Sequence, residues 1–156
     1  LLNFPRFNKM KGMGQIVTWS VRDETLHTES AIKLFRTFVS ENPEVLTPEL
    51  EKDIYKACET VISHEDAFIN LAFELGGVQG LEAKQVKDYI RYIADLRLTQ
   101  LGMEKLFDIK EHPLPWMVEM LGGVEHTNFF EGRATEYSRA STTGSWDDTF
   151  KEAFGT

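Results

Sequence analysis

The sequence predicts an all-α protein built as a helical bundle, and three observations carry that expectation. From Gln15 through Glu41 no Pro or Gly interrupts the chain, and its apolar residues recur at helical spacing. Between Leu50 and Leu75 the apolar residues keep a seven-residue repeat. Ile54, Val61, Phe68 and Leu75 form one row, with Leu50, Ala57, His64 and Leu71 beside it, which is the pattern of left-handed, bundle-like packing. No stretch reads as a strand and there is no internal repeat. A chain of 156 residues with 42% hydrophobic and 27% charged residues is long enough for one domain with a real core.

The elements follow in order. Leu1 to Phe7 is apolar and reads as the end of a helix, which Pro5 kinks or stops. The opening Leu1-Leu2-Asn3-Phe4 carries no Met and no helix-start signal. It reads as an entry in mid-element, so the chain is expected to be a fragment or one piece of a split subunit. Lys9 to Gly14 is a turn, or the loose first turn of a long helix that runs to about Ser40 and is stopped by Glu41-Asn42-Pro43. Thr47-Pro48 supplies an N-cap with Pro at the first helical position. The second long helix then spans about Pro48 to Leu75, with Gly76-Gly77 as its C-cap. Within it, His64 occupies an otherwise apolar row, as a metal ligand or, more in keeping with base expectations, a hydrogen-bonded core or boundary histidine. Cys58 reads as a small core residue.

A third helix is predicted from about Leu81 to Leu106. Its apolar residues, Tyr89, Ile90, Ile93, Leu96, Leu98 and Leu101, cover more than half the circumference, so it should pack on two neighbours. Lys110 to Pro115 breaks the chain. A short fourth helix starts at Pro115-Trp116 and ends at Gly122-Gly123. Residues 1–121 thus form the bundle and 122–156 a tail. That tail is polar, with Phe129, Phe130, Tyr137, Phe150 and Phe154 scattered through it. It reads either as a docking peptide with aromatic anchors or as a tail that packs on its own domain.

Several function classes are disfavoured. A net charge of −8 with no basic stripe argues against nucleic acid as the main partner. The single cysteine excludes an internal disulfide and a cysteine-based zinc site. There is no signal peptide and no long uncharged apolar run, so no membrane association is expected and the cytoplasm is the default location.

The first long helix carries the chemistry. On a helical wheel one face collects Met13, Val17, Ser20, Glu24, His27, Ala31, Phe35 and Phe38, and the opposite face Arg22, Thr25, Glu29, Lys33 and Arg36. Glu24 and His27 therefore fall on the apolar side, one turn apart. A carboxylate turned into a core needs compensation. A metal ion is one solution, because Glu-x-x-His at i, i+3 presents an oxygen and an imidazole nitrogen together, as in four-helix di-metal carboxylate proteins. A Glu–His hydrogen bond, or a helix more exposed than the wheel suggests, is the other. No second Glu-x-x-His exists in the chain, so it offers half of such a site, or a site whose other ligands lie elsewhere.

Four stretches, in order, resemble the small, radical-generating subunit of class I ribonucleotide reductase, over the C-terminal part of that family's chain. Trp19-Ser-Val-Arg22-Asp23-Glu24-Thr-Leu-His27 resembles its Arg-Asp-Glu-x-x-His metal helix. Tyr89-Ile-Arg-Tyr92-Ile-Ala-Asp-Leu-Arg97-Leu resembles a later helix. His112-Pro-Leu-Pro115-Trp116-Met resembles its Asn-Pro-Leu-Pro-Trp segment, with His in place of Asn. Asn128-Phe-Phe-Glu131-x-Arg133-x-Thr135-Glu-Tyr137-Ser resembles the start of its tail.

The resemblance implies a ferritin-like bundle with a di-iron, manganese/iron or di-manganese centre. Glu24 and His27 would be ligands to one metal. Asp23 would lie behind the ligands, hydrogen-bonding a ligand histidine and helping proton-coupled transfer. Tyr137 matches the tail tyrosine that relays the oxidising equivalent to the large subunit, and Glu131 the acidic residue six positions before it. The partners implied are the large subunit, bound through the tail, and a second copy in a homodimer. The activity implied is reduction of ribonucleoside diphosphates to deoxyribonucleotides, which serves DNA replication. The family's other ligands and its radical-storing tyrosine fall before Leu1, so the chain alone is expected to be inactive. Two rivals remain: a different ferritin-like di-metal oxidase, and a metal-free helical docking fragment that keeps the tail.

Overall fold

The computed structural model describes residues 1–122. The residues expected to act in the tail, Glu131 and Tyr137, lie outside the described residues. Five helices follow one another: α1 (Asn3–Arg6), α2 (Lys11–Glu41), α3 (Pro48–Ala72), α4 (Ala83–Leu101) and α5 (Pro115–Gly122), with a 3-10 turn at Pro43–Val45 between α2 and α3. Among the described residues the one β feature is an isolated bridge between Val78 and Leu81. The expected all-α architecture of three long helices and a short one is what the chain adopts.

Local chemistry explains the boundaries. Thr47 caps α3, its hydroxyl accepting the Leu50 N–H at 3.2 Å, with Pro48 in the first turn. Glu82 and Gln85 form a capping box at the start of α4. That helix ends at Leu101, five residues before the expected Leu106, because Gly102 turns left-handed at φ +89° and its N–H closes back on Thr99 O. At the other end of the chain α1 crosses α2 closely. A Cβ on Gly14 would stand 2.2 Å from Pro5 Cγ, so only glycine admits this approach.

α4 is the centre of the structure. It packs against α3 and against α2, as its wide apolar coverage predicts. Ile62 and Ile69 of α3 and Leu98 of α4 are buried. Asp66 and Arg91 join the two helices through paired contacts of 3.0 and 2.6 Å, and Tyr55 donates to Glu104 O at 3.0 Å.

The buried stripe of α3 corrects one expectation. Of the rows expected to pack, Leu50 and Ile54 are half-buried, but Val61, Phe68 and Leu71 are exposed, as is Leu75 beyond the end of the helix, and so is His64, which is therefore not a core histidine. The seven-residue period holds, but the buried row is Ile62 and Ile69, one residue along. A helix with one main neighbour buries one stripe, and α3 carries two apolar rows. Cys58 is half-buried rather than core. Burial, then the negative charges of Asp95 and Glu59, pushes its thiol above the usual range.

A candidate metal centre on α2

Asp23, Glu24 and His27 sit near the middle of α2. Each offers one ligand atom, and the three atoms lie within 4.8 Å of one another. Glu24 Oε2 and His27 Nδ1 are 3.4 Å apart, as the i, i+3 spacing on one helix face requires. The three residues named from the sequence as ligands and supporting carboxylate are thus gathered on one turn.

Their surroundings differ from the expectation. The wheel placed Glu24 and His27 on a core-facing side, whereas their side chains are 70% and 66% exposed and Asp23 is exposed as well. The half-buried row of α2 is Thr18, Val21, Thr25, Thr28, Ile32, Phe35 and Val39, displaced by about one residue from the predicted face. Threonine explains the error, because it looks polar in a periodicity count. Here Thr18, Thr25 and Thr28 each donate to the carbonyl four residues back, at 2.9, 2.7 and 2.8 Å, so their hydroxyls are satisfied and their methyl groups can face protein. No desolvation cost therefore demands a metal at Glu24. The case rests on the donor set, two carboxylates and an imidazole converging on open space. Such ligands suit iron and manganese, and the residues present fit one part of a centre whose remaining ligands other helices would bring.

A further carboxylate, Asp95 of α4, was not among the residues expected from the sequence. It is 2% exposed and accepts three backbone N–H groups, from Leu106 and Phe107 on one oxygen and Ile109 on the other, at 2.9, 2.9 and 3.0 Å. It satisfies the link that follows α4. The available signal was a carboxylate inside the apolar run Ile93-Ala94-Asp95-Leu96.

A helical bundle presenting Asp-Glu-x-x-His on one helix belongs to the ferritin-like class that houses carboxylate-bridged metal pairs. Within that class the chain belongs to the ribonucleotide reductase small chain family, whose sequence profile matches residues 1–113. It is 46% identical to a protein of Invertebrate iridescent virus 3 named as a probable ribonucleoside-diphosphate reductase small subunit, over 94% of this chain and 39% of that protein. It is 37% identical to the ribonucleoside-diphosphate reductase subunit beta of Chlamydia pneumoniae, over 94% of this chain and 41% of that one. The structure resembles the ribonucleotide reductase R2 subunit of Clostridium botulinum with a TM-score of 0.71 and 25% identity, covering 76% of this chain and 37% of that one. The chain therefore spans about two-fifths of the length of these relatives.

Proposed function

We propose that this chain supplies the Glu24/His27 part of a di-metal centre in the small subunit of a cytoplasmic ribonucleoside-diphosphate reductase. The observation that carries the reading is the convergence of Asp23, Glu24 and His27 within 4.8 Å on one turn of α2, in a chain of this family. Glu24 and His27 would hold one iron or manganese ion, and Asp23 would orient a ligand imidazole and keep its proton in place. When bound, the metal pair supplies the one-electron oxidant from which the reductase draws its radical. Carboxylate ligands from other helices would complete the centre and cover the open face of α2. In the tail, Tyr137 would pass the oxidising equivalent onward and Glu131 would assist its proton. The remaining tail would bind the large subunit, within an assembly of two small-subunit copies. The product is the deoxyribonucleotide supply for DNA replication.

The test is a manganese(II) titration of the 156-residue chain followed by NMR, since the paramagnetic ion broadens amide signals close to it even when it binds weakly. Broadening centred on residues 23–28, and lost in both Glu24→Ala and His27→Ala, is the expected result. Broadening spread evenly over the acidic surface, or unchanged in the two variants, would overturn the assignment and leave the metal-free docking module as the better reading.

A further inference from the structure

His112 lies in the link between α4 and α5, against two tyrosines of α4. Its ring centroid is 5.4 Å from that of Tyr89 and 4.9 Å from that of Tyr92, with the rings tilted by 45° and 55°. Its Nδ1 accepts the backbone N–H of Leu114 at 3.1 Å. This is the two-residue reach by which an asparagine side-chain oxygen closes an Asx turn, here made by an imidazole nitrogen. A ring nitrogen can accept only when it carries no proton, so this bond places the single ring proton on Nε2.

The bond stands at the entry to α5. Leu114 is buried, at 4% exposure, and its carbonyl accepts the Met117 N–H at 2.9 Å in the first turn of that helix. Two residues further on, the guanidinium of Arg6 lies 4.2 Å from the Trp116 ring centroid. The first turn of α5 is thus tied to α4 through His112 and to α1 through Arg6.

We propose that His112 is a proton-operated latch on α5. Neutral, it caps the Leu114 amide and holds the first turn of α5 against α4. Protonated by solvent, it carries N–H on both nitrogens, can no longer accept from Leu114, and frees that turn. Imidazole is the side chain suited to such a change between about pH 5 and 8. The hydrogen bond belongs to the neutral ring, so the latch is closed while Nδ1 is bare and opens when it gains a proton. The groups facing His112 from α4 are the phenols of Tyr89 and Tyr92. Burial pushes Tyr89 above its usual range, with Arg97 acting on it in the opposite sense and Tyr92 in the same, so Tyr89 does not titrate in that interval. On the α5 side Trp116 is neutral and carries Arg6, and Glu111, the preceding residue, is exposed. The inference does not depend on any metal at α2.

Amide hydrogen exchange of Leu114, measured by NMR on the whole chain at pH 7.5 and 5.5 and corrected for intrinsic exchange, tests it. Protection in the native chain should fall about fivefold on acidification, the size of one net hydrogen bond. In His112→Asn it should stay level, because an amide oxygen accepts at both pH values. No fall in the native chain, or an equal fall in the variant, would overturn the latch. Should the variant fail to fold, the imidazole ¹⁵N shifts of the native chain at pH 7.5 decide alone. A bare Nδ1 with Nε2–H is expected, and the opposite tautomer would sink the proposal.

Discussion

The two faces of this bundle follow different rules. Between α3 and α4 the structure is closed. Ile62, Ile69 and Leu98 are buried, Asp66 and Arg91 are paired, and Asp95 spends both carboxylate oxygens on backbone N–H groups. On the outer faces of α2 and α3 the reverse holds. Leu34 and Phe38 of α2 and Val61, Phe68 and Leu71 of α3 are exposed, and so are Asp23, Glu24 and His27 of α2. The closed side concentrates what holds the chain together, whereas the open side concentrates the groups with chemistry. Substitutions should therefore separate into two classes, costly for stability on one side and silent on the other.

The largest effect is expected at Asp95. Asp95→Ala removes a 2% exposed carboxylate and leaves three part-buried N–H groups without their acceptor, and such donors fall toward the lower end of the range of about 1–3 kcal/mol that an orphaned buried donor costs. A loss of about 3 kcal/mol or more is expected from urea unfolding. A loss under about 1 kcal/mol would mean that the link after α4 does not depend on this carboxylate.

Next come the two apolar rows of α3, which differ by one residue in register. Ile69→Ala should cost about 2–4 kcal/mol, the range for emptying a packed aliphatic site. Phe68→Ala, at a phenylalanine 66% exposed, should stay within about 0.5 kcal/mol. Comparable losses at both positions would show that the outer row is covered in solution.

The Asp66–Arg91 pair should contribute less, about 1 kcal/mol, because both side chains are about a quarter exposed and solvent screens them. Its pH dependence has a definite sign. The hydrogen bonds from Arg91 hold the Asp66 carboxyl below the usual carboxylate range. Its stabilisation is thus fully present above the unfolded value, about 3.9, and is lost as pH falls through the lower folded value. Urea midpoints at pH 6 and pH 3 should show part of the acid loss disappearing in Asp66→Asn. An unchanged acid loss would assign it to other carboxylates.

How far the sequence revealed this arrangement depends on which physics a stretch uses. Caps and breakers are local, so Thr47-Pro48, Asn42-Pro43 and Pro115-Trp116 could be read directly. The period of α3 could also be read, but not which of its two apolar rows would be buried, since that depends on where α4 lies. The same limit misplaced the packed face of α2, where threonines that bond their own helix replace the expected apolar row. Asp95 was missed because its partners, Leu106 to Ile109, are distant in sequence and are backbone groups, which leave no pattern in side chains. Glu24 and His27 could be found because i, i+3 spacing on a helix guarantees their proximity, although not their exposure.

The smallest stability effect is expected where the chemistry is proposed. Glu24→Ala removes a 70% exposed carboxylate whose contact with His27 Nδ1, at 3.4 Å, is too long and too open to contribute much. It also relieves the like charge of neighbouring Asp23 and introduces the best helix former. Unfolding free energy should therefore stay within about 0.5 kcal/mol of the native chain, measured by urea titration without added metal. The same comparison with manganese present should separate the two proteins, because a ligand that binds only the folded state raises stability in proportion to the logarithm of its concentration over Kd. The native chain should gain stability as manganese rises, while Glu24→Ala should gain less. Equal gains would place manganese elsewhere on the acidic surface. A large loss without metal would show that the open face of α2 contributes to the fold after all, which would remove the separation of stability from chemistry between the two sides of the bundle.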